Sequence, residues 1–77
     1  MSNNGVPIDG QKLRLLRLRK GWSLRDVEDA SKALGHTVQF GNLRSYENGT
    51  IRPYPRTLFA LAQALGVEVD ELLKEAA

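Results

Sequence analysis

The sequence predicts an all-α domain of five short helices, and three observations carry that prediction. Apolar residues recur at three- and four-residue spacing along most of the chain, and no run alternates apolar with polar residues as a strand would. Four of the seven glycines, Gly21, Gly35, Gly49 and Gly66, each follow such a stretch, where a left-handed residue stops a helix.

The first helix opens at Asp9, an N-cap residue, with Ile8 and Leu13 as a hydrophobic staple across it. Leu13, Leu16, Arg17 and Lys20 share one face up to Gly21. Leu15 and Leu18 fall on the opposite side, where the N-terminal arm or the C-terminal helix is expected to cover them. Left bare, they form a protein-binding patch.

The second helix has the clearest start: Ser23 and Asp26 have the spacing of a capping box, and Trp22 and Val27 sit at staple positions. Trp22 is expected in the core. Leu24, Val27, Ser31 and Leu34 mark the inner face, Gly35 stops the helix, and His36, Thr37 and Val38 make a turn. A third helix follows over residues 39–48, with Leu43, Tyr46 and Glu47 inward and Gly49 at its end.

After a loop containing Pro53, Pro55 stands at the first position of a fourth helix, where its missing N–H costs nothing. Leu58, Leu61, Ala62 and Leu65 form its stripe, and Gly66 closes it. A last short helix presents Val69, Leu72 and Leu73. The predicted organisation is a disordered arm over residues 1–7 and one domain over 8–77.

A 77-residue domain buries only about 60% of the surface its unfolded chain exposes, so its core is marginal and a partner would help. The chain has no cysteine, which excludes disulfides and zinc–thiolate sites and points to reducing cytoplasm. Its start lacks the apolar run of a signal peptide. No stretch approaches the roughly 18 apolar residues of a membrane span.

The net charge is only +2, but it is unevenly spread. Residues 1–66 hold 10 of the 11 Lys and Arg against 5 acids, and residues 67–77 hold one Lys against 4 acids. The first segment is therefore +5 and the second −3. A body facing a phosphate backbone with an acidic end turned away accounts for this; ordinary solvated charge does so equally well.

Catalytic readings find no support: there is no phosphate-cradling glycine loop, no nucleophile elbow and no histidine pair at metal-ligand spacing. His36 is alone and reads as a turn residue. Asp26, Glu28 and Asp29 lie in the first turns of a helix, where compensation of the helix dipole and a solvated face explain them. No enzyme activity, catalytic residue, metal or cofactor is predicted.

What stands out is a pair of helices joined by a short turn. Leu13-Arg14-Leu15-Leu16-Arg17, Gly21-Trp22-Ser23-Leu24, Tyr46-Glu47-Asn48-Gly49, Arg52-Pro53, Thr57-Leu58, Leu61-Ala62, Ala64-Leu65-Gly66-Val67 and Asp70-Glu71-Leu72-Leu73 occur in a specific order. Together, over about residues 9–74, they resemble the xenobiotic-response-element-type helix-turn-helix family, which includes the phage Cro and repressor domains.

The resemblance implies a five-helix, lambda-repressor-like DNA-binding fold, with helices 2 and 3 as the helix-turn-helix and helix 3, about residues 39–48, in the major groove. It also implies an ion pair between Arg17 and Glu47. Both lie on inner faces, where an unpaired charge is costly. The chain departs from the family pattern in a second helix about a turn longer and a wider turn. Glu28 stands where the family has a small residue, with Ala30 as the substitute in a shifted register.

Counted back from Glu47 at roughly 100° per residue, Gly41, Arg44, Ser45 and Asn48 point outward with Asn42 at the edge, and Gln39 points to the core. Gln39 nevertheless begins the helix, within reach of a base or phosphate. Arg44 suits guanine O6 and N7, and Asn42 suits adenine. Gly41 allows close backbone approach. Phe40 lies on the edge of the core face, where packing and contact with a thymine methyl are both open. The expected base readers are thus Gln39, Phe40, Gly41, Asn42, Arg44 and Ser45. Ser23, Arg25, Asn48, Arg52 and Arg56 are the expected phosphate contacts.

These readings converge on a sequence-specific regulator of repressor type, bound to double-stranded DNA in the cytoplasm at the nucleoid, with no membrane partner. A homodimer is expected, because operators in the family are two-fold and one small module buries limited surface. Ile51, Tyr54 and Phe59 are suitably placed for its contact. The rivals are a DNA-binding antitoxin that grips a toxin through Leu15 and Leu18, and a protein-interaction adaptor on the same fold.

Overall fold

The computed structural model describes residues 5–74. Four helices, α1 (Gly10–Arg19), α2 (Leu24–Ala33), α3 (Phe40–Asn48) and α4 (Pro55–Leu65), are followed by one 3-10 turn at Val69–Glu71. No strand occurs among the described residues.

The expected fifth helix is therefore a single turn. Leu72 is fully buried, and Leu73 then leaves the turn to form an isolated antiparallel bridge with Ile8. The backbone here bonds across the chain instead of along a helix: Asp9 N donates to Leu72 O (2.9 Å) and Lys74 N to Pro7 O (3.3 Å).

The same pairing reaches the expected arm. Residues 1–4 lie outside the described residues, and residues 5–7 contact the domain. Val6 N donates to Pro53 O at 2.7 Å, and Val6 and Ile8 pack on the core. A side chain at Gly5 would collide with Arg52.

Local capping explains where α1 and α2 begin. The Asp9 carboxylate accepts from Lys12 N (3.1 Å). Ser23 Oγ accepts from Asp26 N (3.2 Å), while Ser23 N donates to the Asp26 carboxylate (2.8 Å), a complete capping box. Pro55 starts α4, and α3 ends on Gly49 at φ 78°, a conformation costly for other residues.

Leu13 and Leu16 from α1, Val27 from α2, Leu43 and Tyr46 from α3 and Leu58 and Leu61 from α4 form the centre of the core. One residue expected on the inner face of α2 lies elsewhere. Leu34 is 51% exposed, because it is the C-cap of α2 and has already turned off the inner face. Trp22, half-buried, packs against the core, with the Lys20 ammonium 4.8 Å from its ring centre. No described helix is long and apolar enough to cross a membrane.

Candidate nucleic-acid interface

The angle between α2 and α3 decides what α3 can present, and three polar contacts set it. Ser31, fully buried on α2, accepts at Oγ from Val38 N and donates to Glu28 O, both at 2.8 Å. Glu28 Oε1 accepts from Phe40 N (2.9 Å), so a carboxylate of α2 caps the first amide of α3. His36 Nε2 lies 3.3 Å from Thr57 Oγ1, which ties the turn to α4.

Sequence reasoning missed the work of Glu28 and read it as a solvated acid. The available signal was Gln39: α3 begins with no Ser, Thr, Asp or Asn at its N-cap, so its cap had to come from another element. The departure from the family's small residue therefore has a structural use here.

The other end of α3 is tied to α1. Arg17 Nε and Nη2 donate to Glu47 Oε2 (2.7 Å) and Oε1 (3.0 Å), and Arg17 Nη1 donates to Trp22 O (2.8 Å). The two side chains are 10% and 6% exposed. The hydrogen bond to Glu47 holds the Arg17 guanidinium above its ordinary pKa against the opposing effect of burial. The Tyr46 hydroxyl is also raised, chiefly by burial and secondarily by its electrostatic interaction with Tyr54. Gly10 brings the start of α1 directly against the Tyr46 and Glu47 carbonyls, where no other residue fits.

Held at both ends, α3 leaves Gly41, Asn42, Arg44 and Asn48 exposed. Ser45 is half-buried, and its hydroxyl donates back to Gly41 O (3.3 Å). Gln39 is exposed and not core-directed: it is an extended N-cap outside the helix, so the angular count does not apply to it. Phe40 is not a member of the buried core cluster. It is 38% exposed, and the Arg25 guanidinium lies over its ring, 4.6 Å from the centroid.

Exposed cations stand on the elements before and after α3. Arg25 is exposed in the first turn of α2, Arg52 in the loop after α3 and Arg56 in the first turn of α4. Ser23 is exposed, with its hydroxyl engaged as the cap of α2. An open groove lined by Gln11, Arg14, Arg44 and Asn48 runs between α1 and α3. Arg14 was not foreseen there, because its nearness to Arg44 depends on how the two helices cross.

Leu15 and Leu18 are 45% and 48% exposed, so neither the described N-terminal segment nor the C-terminal turn covers them. Ile51, Tyr54 and Phe59 are exposed as well. Among the described residues no three His, Asp or Glu side chains gather as a metal site requires.

A short helix braced at both ends against two others, with its free face polar and exposed arginines on the adjoining elements, defines a helix-turn-helix DNA-binding domain. A helix-turn-helix family model matches residues 13–72, and the chain belongs to that family of DNA-binding transcriptional regulators, the xenobiotic-response-element type. The fold is similar to the crystal structure of the clp gene regulator ClgR from C. glutamicum, with TM-score 0.67 and 32% identity over 80% of this chain and 74% of that one. No curated protein sequence matches the chain.

Proposed function

We propose that the protein is a sequence-specific transcriptional repressor that acts at the nucleoid, with α3 in the major groove and α2 across the backbone. One observation carries this reading: the exposed face of α3 holds Asn42, Arg44 and Asn48, whose side chains make no hydrogen bond or ion pair among the described residues, and Arg25, Arg52 and Arg56 are exposed on the adjoining elements.

Arg44 and Asn42 are the bidentate base readers, Gln39 and Ser45 supplementary ones, and Gly41 admits the groove edge. Ser23, Arg25, Asn48, Arg52 and Arg56 contact phosphates. The protein acts as a homodimer through Ile51, Tyr54 and Phe59, each exposed and apolar in character. The resemblance to a gene regulator supports the regulatory role.

Sequencing of duplex fragments selected by the purified protein tests the reading, followed by titration of the selected fragment at several salt concentrations. The expected result is a two-fold operator with half-sites about 10 bp apart, and affinity that falls steeply with salt. Selection of no common sequence, or binding indifferent to salt, would overturn it. The bare Leu15 and Leu18 favour a second reading, a DNA-binding antitoxin, which keeps the DNA face and adds a protein partner there.

A further inference from the structure

We infer that Phe40 is a positioning residue, not a base reader: its ring holds the Arg25 guanidinium in place for a DNA phosphate at the edge of the groove. The inference rests on the DNA-binding reading above.

Arg25 stands in the first turn of α2, whose start is locked by the reciprocal bonds of Ser23 and Asp26. Its guanidinium lies over the Phe40 ring at 4.6 Å. Three residues further along the same helix face, Glu28 Oε1 bonds the Phe40 amide at 2.9 Å. The first residue of α3 is thus gripped twice by α2, its backbone by Glu28 and its ring by Arg25.

Three features give this contact a use beyond packing. Among the described residues Arg25 forms no ion pair, so its charge is available to an anion. A guanidinium stacked on a ring keeps the N–H groups in its own plane, where they can bond a phosphate as a fork. The Phe40 ring, 38% exposed, is not a member of the buried core cluster. It does fix a long side chain that would otherwise lose its freedom only on binding DNA, a recurring cost of association.

The alternative for Phe40, contact with a thymine methyl, needs the ring free to enter the groove. Here one face of the ring already carries the Arg25 guanidinium. The clamp also joins the two helices at the point where both approach DNA, so the register of the phosphate contact follows that of α3.

The test compares Phe40→Leu, Phe40→Tyr, Arg25→Ala and the double variant Arg25→Ala/Phe40→Leu, each titrated with a mixed-sequence duplex at several salt concentrations. Phe40→Leu keeps the amide that Glu28 bonds and removes only the ring. It is expected to weaken binding roughly three- to tenfold, the scale of ordering one long side chain, and to lower the salt slope toward that of Arg25→Ala. Phe40→Tyr is expected to bind as the wild type does. In the Arg25→Ala background Phe40→Leu should change nothing further. In the free protein, the ring-current shift of the Arg25 δ protons should be present in the wild type and Phe40→Tyr and lost in Phe40→Leu.

An equal loss from Phe40→Leu with or without Arg25, or wild-type affinity in Phe40→Leu, would overturn the clamp while leaving the DNA reading intact. Wild-type protein that failed to bind duplex would overturn the DNA reading, and the clamp's purpose with it. A missing ring-current shift in the wild type would remove the clamp regardless of any DNA result.

Discussion

Arg17 and Glu47 meet as a fork, Nε to Oε2 at 2.7 Å and Nη2 to Oε1 at 3.0 Å, and so fasten the middle of α1 to the end of α3. The pair is nearly closed to solvent, and neither charge is left alone. Arg17→Ala and Glu47→Ala are each expected to cost about 3–5 kcal/mol, because removal of one partner strands the other. Arg17→Ala also frees Trp22 O, so it should be the worse of the two. Urea denaturation of both variants measures this; losses under about 1 kcal/mol, the range of exposed pairs, would show that water reaches the fork.

Ser31 does for the start of α3 what that pair does for its end. Its hydroxyl is the partner of Val38 N in a buried setting, and Ser31→Ala leaves that amide without one. The expected loss is about 1–3 kcal/mol. Amide exchange at Val38 should rise with it, since the turn loses its anchor. Unchanged protection at Val38 would mean that the turn is held by packing alone.

How much of this was legible in the sequence follows the range of each interaction. Caps, stops and stripes are local, and Asp9, Ser23 with Asp26, Pro55 and the four terminal glycines stand where the pattern places them. What failed was non-local or sat at an element's margin. Leu34 and Gln39 were assigned faces by helical angle although both are caps, outside the run of helical backbone. The fifth helix failed because Leu73 pairs with Ile8, some sixty-five positions away in sequence, and nothing in its own neighbourhood records that. The same limit hid Glu28 on Phe40 N and Arg14 beside Arg44. The site's outward residues could be listed from periodicity, but not the cross-helix contacts that aim them.

Gly41 separates fold from function in one substitution. A Cβ there would meet no atom within 4 Å, so nothing inside the protein requires glycine in the first turns of α3. Gly41→Ala is expected to stabilise the chain by about 0.5–1 kcal/mol, the usual gain in a helix. It should also weaken operator binding by about 1–3 kcal/mol, the scale of a methyl forced into a tight contact. Thermal denaturation and operator titration on the same variant give opposite signs if Gly41 faces the groove. Stabilisation with full affinity would place the close approach elsewhere.

The placement of α3 is tested most directly by contrasting Arg44 with Arg52. Arg44 is exposed in the middle of α3 and lines the groove beside Asn48, while Arg52 lies past Gly49 in the loop that Val6 and Gly5 brace. A residue on the helix reaches base edges, and one on the loop reaches the backbone. Arg44→Ala should therefore cost about 1–3 kcal/mol on the selected operator and much less on a scrambled duplex. Arg52→Ala should weaken both duplexes alike and lower the salt slope by about one. Because Arg52 also packs against Gly5, its variant needs a thermal melt beside the titration, so that loss of the N-terminal segment is not read as loss of a phosphate contact. If Arg44→Ala weakened both duplexes equally while Arg52→Ala relaxed sequence preference, α3 would be turned away from the groove. The segment from α2 to α3 would be the physical cause, since Glu28 and Ser31 fix the start of α3 relative to α2.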